Sequence, residues 1–216
     1  MENELINRRM IQWFPGHMTK TLRQMEKEIR NVDCVLQLLD ARIPLSSLNP
    51  EIERITASKP HLYLLNKADL ADPALTKQWI TVDNYDLMDM PGVLWKKFDS
   101  LETATNLAFI GSIKDDILDI EELAMGLLSQ IRQVYPERLQ ERYKLNEQDL
   151  TLDAYELLQA IGRKRGMLIS GGEVNTERAA IMLVDEFRAS KWGRITLEKP
   201  PVREAESQED EAEELQ

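Results

Sequence analysis

Residues 33–69 read DCVLQLLDARIPLSSLNPEIERITASKPHLYLLNKAD, and the fold turns on them. Asp33-Cys34-Val35-Leu36-Gln37-Leu38-Leu39-Asp40 is a short apolar run with polar ends, and His61-Leu62-Tyr63-Leu64-Leu65 repeats that texture. Runs of this length and composition suit strands covered on both faces. Between them Pro50-Glu51-Ile52-Glu53-Arg54-Ile55 has a helical pattern. Strand, helix, strand builds a parallel sheet flanked by helices. A third candidate strand, Tyr85-Asp86-Leu87-Met88, ends at Asp89-Met90-Pro91-Gly92. Each run therefore delivers a polar loop at its C-terminal end, where open α/β sheets bind ligands.

Upstream, TKTLRQMEKEIRNV (19–32) places Leu22, Met25 and Ile29 at helical spacing. It predicts an amphipathic helix, preceded by the aromatic turn Trp13-Phe14-Pro15-Gly16-His17-Met18. Downstream of about residue 100 the texture is helical. Ile120, Leu123, Ala124, Leu127, Leu128, Ile131 and Val134 follow the i, i+3, i+4, i+7 rule, and Pro136 closes the stretch. Leu157, Leu158 and Ile161 form a shorter stripe ended by Gly162. A third helix is expected from about Asn175, a plausible N-cap, to Ser190. The chain thus divides into an α/β unit (1–100), an all-helical unit (101–200) and an acidic tail (201–216).

Composition narrows the function classes. With 43% hydrophobic and 30% charged residues the 216-residue chain has the make-up of a globular protein. The tail 203–216 holds seven acidic side chains and one basic, so it carries −6 of the net −11. Such a run is a solvated end or a docking element for a basic partner. The one cysteine, Cys34, sits in an apolar run, which suggests a packed, reduced thiol and a cytoplasmic protein. No run approaches the roughly 18 apolar residues of a membrane helix, and the start of the chain lacks a signal-peptide core, so neither export nor a membrane span is expected.

Two loops carry chemistry. In Asn66-Lys67-Ala68-Asp69, a carboxylate can accept from both the ring N–H and the exocyclic amine of guanine, an edge adenine does not offer. Asn66 and Lys67 would brace the loop and cover the base with a methylene stem. The plain alternative is a strand-ending turn. At Asp89-Met90-Pro91-Gly92 the carboxylate can hold the water shell of Mg²⁺, and the glycine N–H can approach a terminal phosphate. Here too an ordinary turn is the alternative. Two such loops on one sheet reinforce each other.

These residues resemble a known family. WFPGHM, Asp40-Ala41-Arg42-Ile43-Pro44 with Asn49-Pro50, LLNKADL, and DMPGVLW followed by Lys97-Phe98 are similar to the circularly permuted GTPases of the ribosome biogenesis GTPase A type. Gly111-Ser112-Ile113-Lys114, Tyr135-Pro136-Glu137-Arg138-Leu139, Ile161-Gly162-Arg163-Lys164-Arg165-Gly166 and Lys191-Trp192-Gly193-Arg194 resemble that family's helical domain. The resemblance implies a circularly permuted P-loop GTPase-like parallel sheet with a C-terminal all-helical domain. It implies GTP or GDP and Mg²⁺ as ligands and the large ribosomal subunit with its rRNA as partner. Asn66, Lys67, Ala68 and Asp69 would meet guanine, with Asp89 at Mg²⁺ and Gly92 at the γ-phosphate. His17 would position the attacking water, its alternative being a loop histidine packed on Trp13 and Phe14. His61 opens a strand and reads as structural.

One departure stands out. A permuted GTPase should carry Gly-x-x-x-x-Gly-Lys-Ser/Thr between NKAD and DMPG, yet the chain has no Gly-Lys dipeptide, and the 19 residues 70–88 include no glycine. The stretch 75–82 looks like the join of an internal deletion, a hypothesis that sequencing the encoding locus would overturn by finding the missing segment. A truncated sheet is the expected result, with the remaining strands burying both faces. Without a backbone nest, lysine and hydroxyl for the phosphates, GTP hydrolysis should be impaired. The rival is a catalytically dead ribosome- or rRNA-binding, or vestigial, protein. Arg8, Arg9, Lys20, Arg23, Arg163, Lys164, Arg165, Arg178, Arg188, Lys191 and Arg194 either meet RNA phosphates or form solvated helix faces. Trp95 and Trp192 either pack in the core or stack on bases.

Overall fold

A computed structural model describes residues 16–81, 101–115 and 118–200, with the side chains of 16–19 and 81 excepted. The expected third strand at 85–88, the DMPG loop, Trp95 and the tail lie outside the described residues. Helix α1 (Gly16–Glu28) continues into one 3₁₀ turn (Ile29–Asn31) and buries Met25. The two strands follow the sequence reading closely: β1 is Val35–Asp40 and β2 is His61–Asn66, paired in parallel from Val35 opposite His61 to Asp40 opposite Asn66. Between them run α2 (Pro44–Ser47) and α3 (Pro50–Thr56). Asn49 caps α3 by accepting from the Glu51 and Ile52 amides, and Pro50 fills the first helical position, where its missing N–H costs nothing. At the start of β2, His61 Nε2 lies 2.6 Å from the Thr56 hydroxyl, in keeping with a structural histidine.

Among the described residues, the two strands do not bury both faces. Alternation puts Val35, Gln37 and Leu39 of β1 inward, while Leu38, Leu62 and Leu64 on the other side are 48%, 45% and 46% exposed. Cys34 is a second correction, since it is exposed. The strand begins one residue later at Val35, so the thiol stands at the entrance to the pleat instead of inside it.

After β2, Asp72 caps α4 (Pro73–Thr81), its carboxylate accepting from the Ala74 and Leu75 amides. The helix covers most of the stretch read as a deletion join, and its Trp79 is buried. Then come α5 (Leu101–Phe109), α6 (Ile120–Val134), α7 (Pro136–Tyr143), a 3₁₀ turn (Asp149–Thr151), α8 (Ala154–Lys164) and α9 (Thr176–Arg188). Asp119 caps α6, Asp153 and Glu156 form a capping box on α8, and Asn175 caps α9 as expected. Helix α6 closes at Val134 with Tyr135 as its C-cap, and Pro136 at once starts α7, a helix that the periodicity does not disclose. Leu127, Leu128, Ile131, Leu139, Leu157, Leu158, Ile161 and Leu183 are fully buried in one apolar core, which Ile43 and Trp192 also join.

Gly162 does not end α8, which runs on to Lys164. A Cβ at Gly162 would lie 2.5 Å from Val174 Cγ1 and 3.3 Å from Ala179 Cβ, so the glycine serves the close approach of the segment leading into α9. Among the described residues no helix is long and apolar enough to cross a membrane.

Candidate functional site

Because β1 and β2 are parallel and in register, their C-terminal turns emerge side by side. The Ala41 amide donates to Asn66 O at 2.8 Å and joins them. At the end of β2, Asn66 Oδ1 accepts from the Lys67 amide (2.9 Å), and the Leu70 amide donates to Lys67 O (2.9 Å). This tight turn holds Lys67 at φ 57°, a left-handed conformation that costs a residue with a Cβ about 1 kcal/mol. The turn leaves Asn66, Lys67, Ala68 and Asp69 exposed at the carboxyl end of the sheet.

Asp40 closes β1 beside that loop. Its carboxylate accepts from Arg42 Nε (2.9 Å), Arg42 Nη2 (2.8 Å) and the Arg42 amide (3.0 Å), and Lys67 Nζ stands 3.3 Å from Oδ2. Burial alone would raise the Asp40 pKa, but the bonds and charge of Arg42, with Lys67 behind them, hold it below its ordinary value. Arg42 is only 3% exposed, so the pair is a buried one. Nothing in the sequence pattern had pointed to this tie between the strand-end carboxylate and the lysine of NKAD.

The four NKAD residues are thus brought together. His17 falls in the first turn of α1, and its side chain, like Asp89 and Gly92, lies outside the described residues. Among the described residues no group of three or more His, Cys, Asp or Glu side chains could hold a metal ion. Asp40 is already committed to two cations.

A second candidate surface lies on the helical half. Arg138, Glu141, Arg142, Lys144, Lys191, Trp192 and Gly193 line an open cleft of about 400 Å³, whose positive charge comes from Arg138, Lys144 and Lys191 because Arg142 is paired with Glu186. Several basic residues named from sequence have other employment. Arg188 donates to Ala108 O, Phe109 O and both Asp115 oxygens, and Lys164 bonds Asp149 and Lys144 O. Arg165 lies over the Tyr143 ring and 3.6 Å from Glu186. Trp192 is buried, its indole N–H donating to the Tyr143 hydroxyl at 2.8 Å, so it packs in the core.

No family model matches the chain. Aligned over 281 positions, it is 32% identical to the ribosome biogenesis GTPase A of Bacillus cereus, spanning 88% of this chain and 94% of that protein. The Bacillus pumilus protein of the same name is 31% identical, with 88% and 99% covered. The mouse mitochondrial ribosome-associated GTPase 1 is 46% identical over 83 residues, 38% of this chain and 25% of that one. Among solved structures, GDP-bound YlqF superposes with a TM-score of 0.63 at 20% identity, covering 82% of this chain and 99% of the other. GNP-bound YlqF from T. maritima gives 0.57, also at 20% identity, with 85% and 100% covered. At that identity the likeness concerns the fold.

Proposed function

Because this chain belongs to the ribosome biogenesis GTPase A family, we propose that it is a guanine-nucleotide-binding protein of ribosome assembly whose GTP hydrolysis is impaired. The observation that carries this reading is the NKAD loop, exposed at the carboxyl end of a parallel strand and tied to Asp40 of the next. In this assignment Asp69 accepts from the guanine ring N–H and exocyclic amine, while Asn66 and Lys67 brace the loop and Ala68 leaves the base room. The nucleotide-reading unit is 1–100.

The impairment rests on the missing Gly-Lys-Ser/Thr segment. Alignment length supports it: 88% of 216 residues is about 190, against 281 aligned positions, so roughly 90 positions of the relative find no residue here. A nucleotide held by its base alone lacks the electrostatic cradle that phosphoryl transfer requires. His17 as water-orienting group, Gly92 at the γ-phosphate and Asp89 at Mg²⁺ complete the assignment by family resemblance. Mg²⁺, where bound, would neutralise phosphate charge.

The helical unit 101–200 is assigned to the rRNA of the large subunit in the cytoplasm. Its basic cleft supports that assignment, since clustered Lys and Arg on one face are the footprint of phosphate contacts. The same cleft also supports the rival reading, a catalytically dead protein that still docks on RNA.

Equilibrium titration of the full chain with fluorescent GDP, in competition with GDP, XDP and ADP, separates the two. Guanine-selective binding is expected, and Asp69→Asn should move the preference to xanthine, whose second carbonyl accepts from the new amide. A folded wild-type chain that binds no guanine nucleotide would overturn the nucleotide reading and leave the RNA-docking one.

A further inference from the structure

Residues 195–198, from the far end of the described chain, cross beneath both strand-end turns, and all four are buried. The Ile195 amide donates to Leu70 O at 3.1 Å, one residue past Asp69, and the Leu197 amide donates to Arg42 O at 2.8 Å. Between them, the Thr196 hydroxyl accepts from the Asp72 amide (3.0 Å) and donates to Ala41 O (3.3 Å). One hydroxyl therefore bridges the loop after β2 to the loop after β1, across 124 and 155 residues of sequence.

The strap is itself anchored on both sides. Tyr135, at the junction of α6 and α7, donates its hydroxyl to Thr196 O (3.1 Å) and accepts from the Thr196 amide (3.4 Å). Glu198 accepts from the Leu45 amide (2.6 Å), the Ser46 amide and hydroxyl, and Asn106 Nδ2 (3.0 Å). Trp79 Nε1 donates to Glu198 O at 3.3 Å. Reading a base edge needs a carboxylate placed to within a fraction of an ångström, and an exposed loop has that precision only if its backbone is held from below.

We infer that Thr196 is a positioning residue for guanine recognition, its hydroxyl setting the loop that carries Asp69 against the Asp40-Ala41-Arg42 turn. The inference rests on the reading of residues 66–69 as the guanine loop. It makes base selectivity depend on a side chain of the helical half.

The test uses the full chain and the variants Thr196→Val, Thr196→Ser and Tyr135→Phe. Affinities for GDP, for IDP, which lacks the exocyclic amine, and for ADP are measured by competition, and amide exchange over residues 68–72 is followed without nucleotide. Thr196→Val, which keeps the volume and loses both bonds, is expected to weaken GDP about tenfold, to shrink the GDP-over-IDP ratio and to speed exchange at 70–72. Thr196→Ser should restore all three, and Tyr135→Phe, which frees the strap only from the helical side, should move them the same way by less. It is the variant to rely on if Thr196→Val does not fold. A selective wild type with an unchanged ratio in Thr196→Val and Tyr135→Phe would overturn the inference alone. A folded wild type that binds GDP no better than ADP would overturn the guanine reading and the inference with it.

Discussion

The Lys67 ammonium stands 3.3 Å from the Asp40 carboxylate, so the lysine of one strand-end loop is held by the last residue of the neighbouring strand. Asp40 is also the bidentate partner of Arg42, which is nearly inaccessible to water. Asp40→Ala would leave a buried guanidinium without its counter-ion and should cost about 3–5 kcal/mol, read as a lower urea midpoint at unchanged slope. Lys67→Met, which removes only the half-exposed partner, should cost less than about 1 kcal/mol.

Acid should loosen the chain through its depressed carboxylates, Glu186 and Asp40 foremost, with Asp115 beside Arg188 and Asp149 beside Lys164 shifted the same way. Burial works to raise Glu186, but the Arg142 and Tyr143 bonds dominate and bring it down to about 2, and Asp40 is likewise held low. For a depressed carboxyl group the unfolded chain takes up the proton first, so its stabilisation is present above its ordinary value and fades as pH falls through the folded one. Stability should therefore decline from about pH 4.5 toward 2, and Glu186→Gln should flatten that decline. A wild-type profile level across this window would contradict the assignment.

Tyr143 donates to Glu186 and accepts from the Trp192 indole, so one hydroxyl satisfies two buried groups. Tyr143→Phe should cost about 1–3 kcal/mol because the indole N–H loses its partner inside the core. Thermal melts of the variant would show it.

At Gly162 the added methyl of Gly162→Ala would run into Val174, and the overpacking should cost about 1–3 kcal/mol despite the gain in helix propensity. Pairing it with Val174→Ala should recover part of the loss. Additive effects in that double-mutant cycle would contradict close packing at this point.

Arg188 satisfies the carbonyls of Ala108 and Phe109 at the end of α5 and pairs with Asp115. Arg188→Gln should lower stability by about 2 kcal/mol and leave the salt dependence of RNA retention unchanged. Lys191→Gln, on the wall of the basic cleft, should do the reverse and reduce the slope of log affinity against log salt. Filter binding of a large-subunit rRNA fragment at several salt concentrations distinguishes them.

What local pattern encodes is legible in the amino-acid sequence alone. Apolar runs placed β1 and β2, helical spacing placed α1, α6 and α9, Asn175 announced its cap, and the loop 66–69 sat where a parallel strand ends. Each of these depends on neighbours within a few residues, so sequence alone carries it. Tertiary structure decided the remainder: the exposure of Cys34 and of one sheet face, the interior place of Gly162, the commitment of Arg188, and the ties from Asp40 to Lys67 and from Thr196 to Ala41 and Asp72. These join residues up to 155 positions apart, and no periodicity relates such partners. They exist because the folded chain brings polar groups together away from water, where each donor and acceptor must find another.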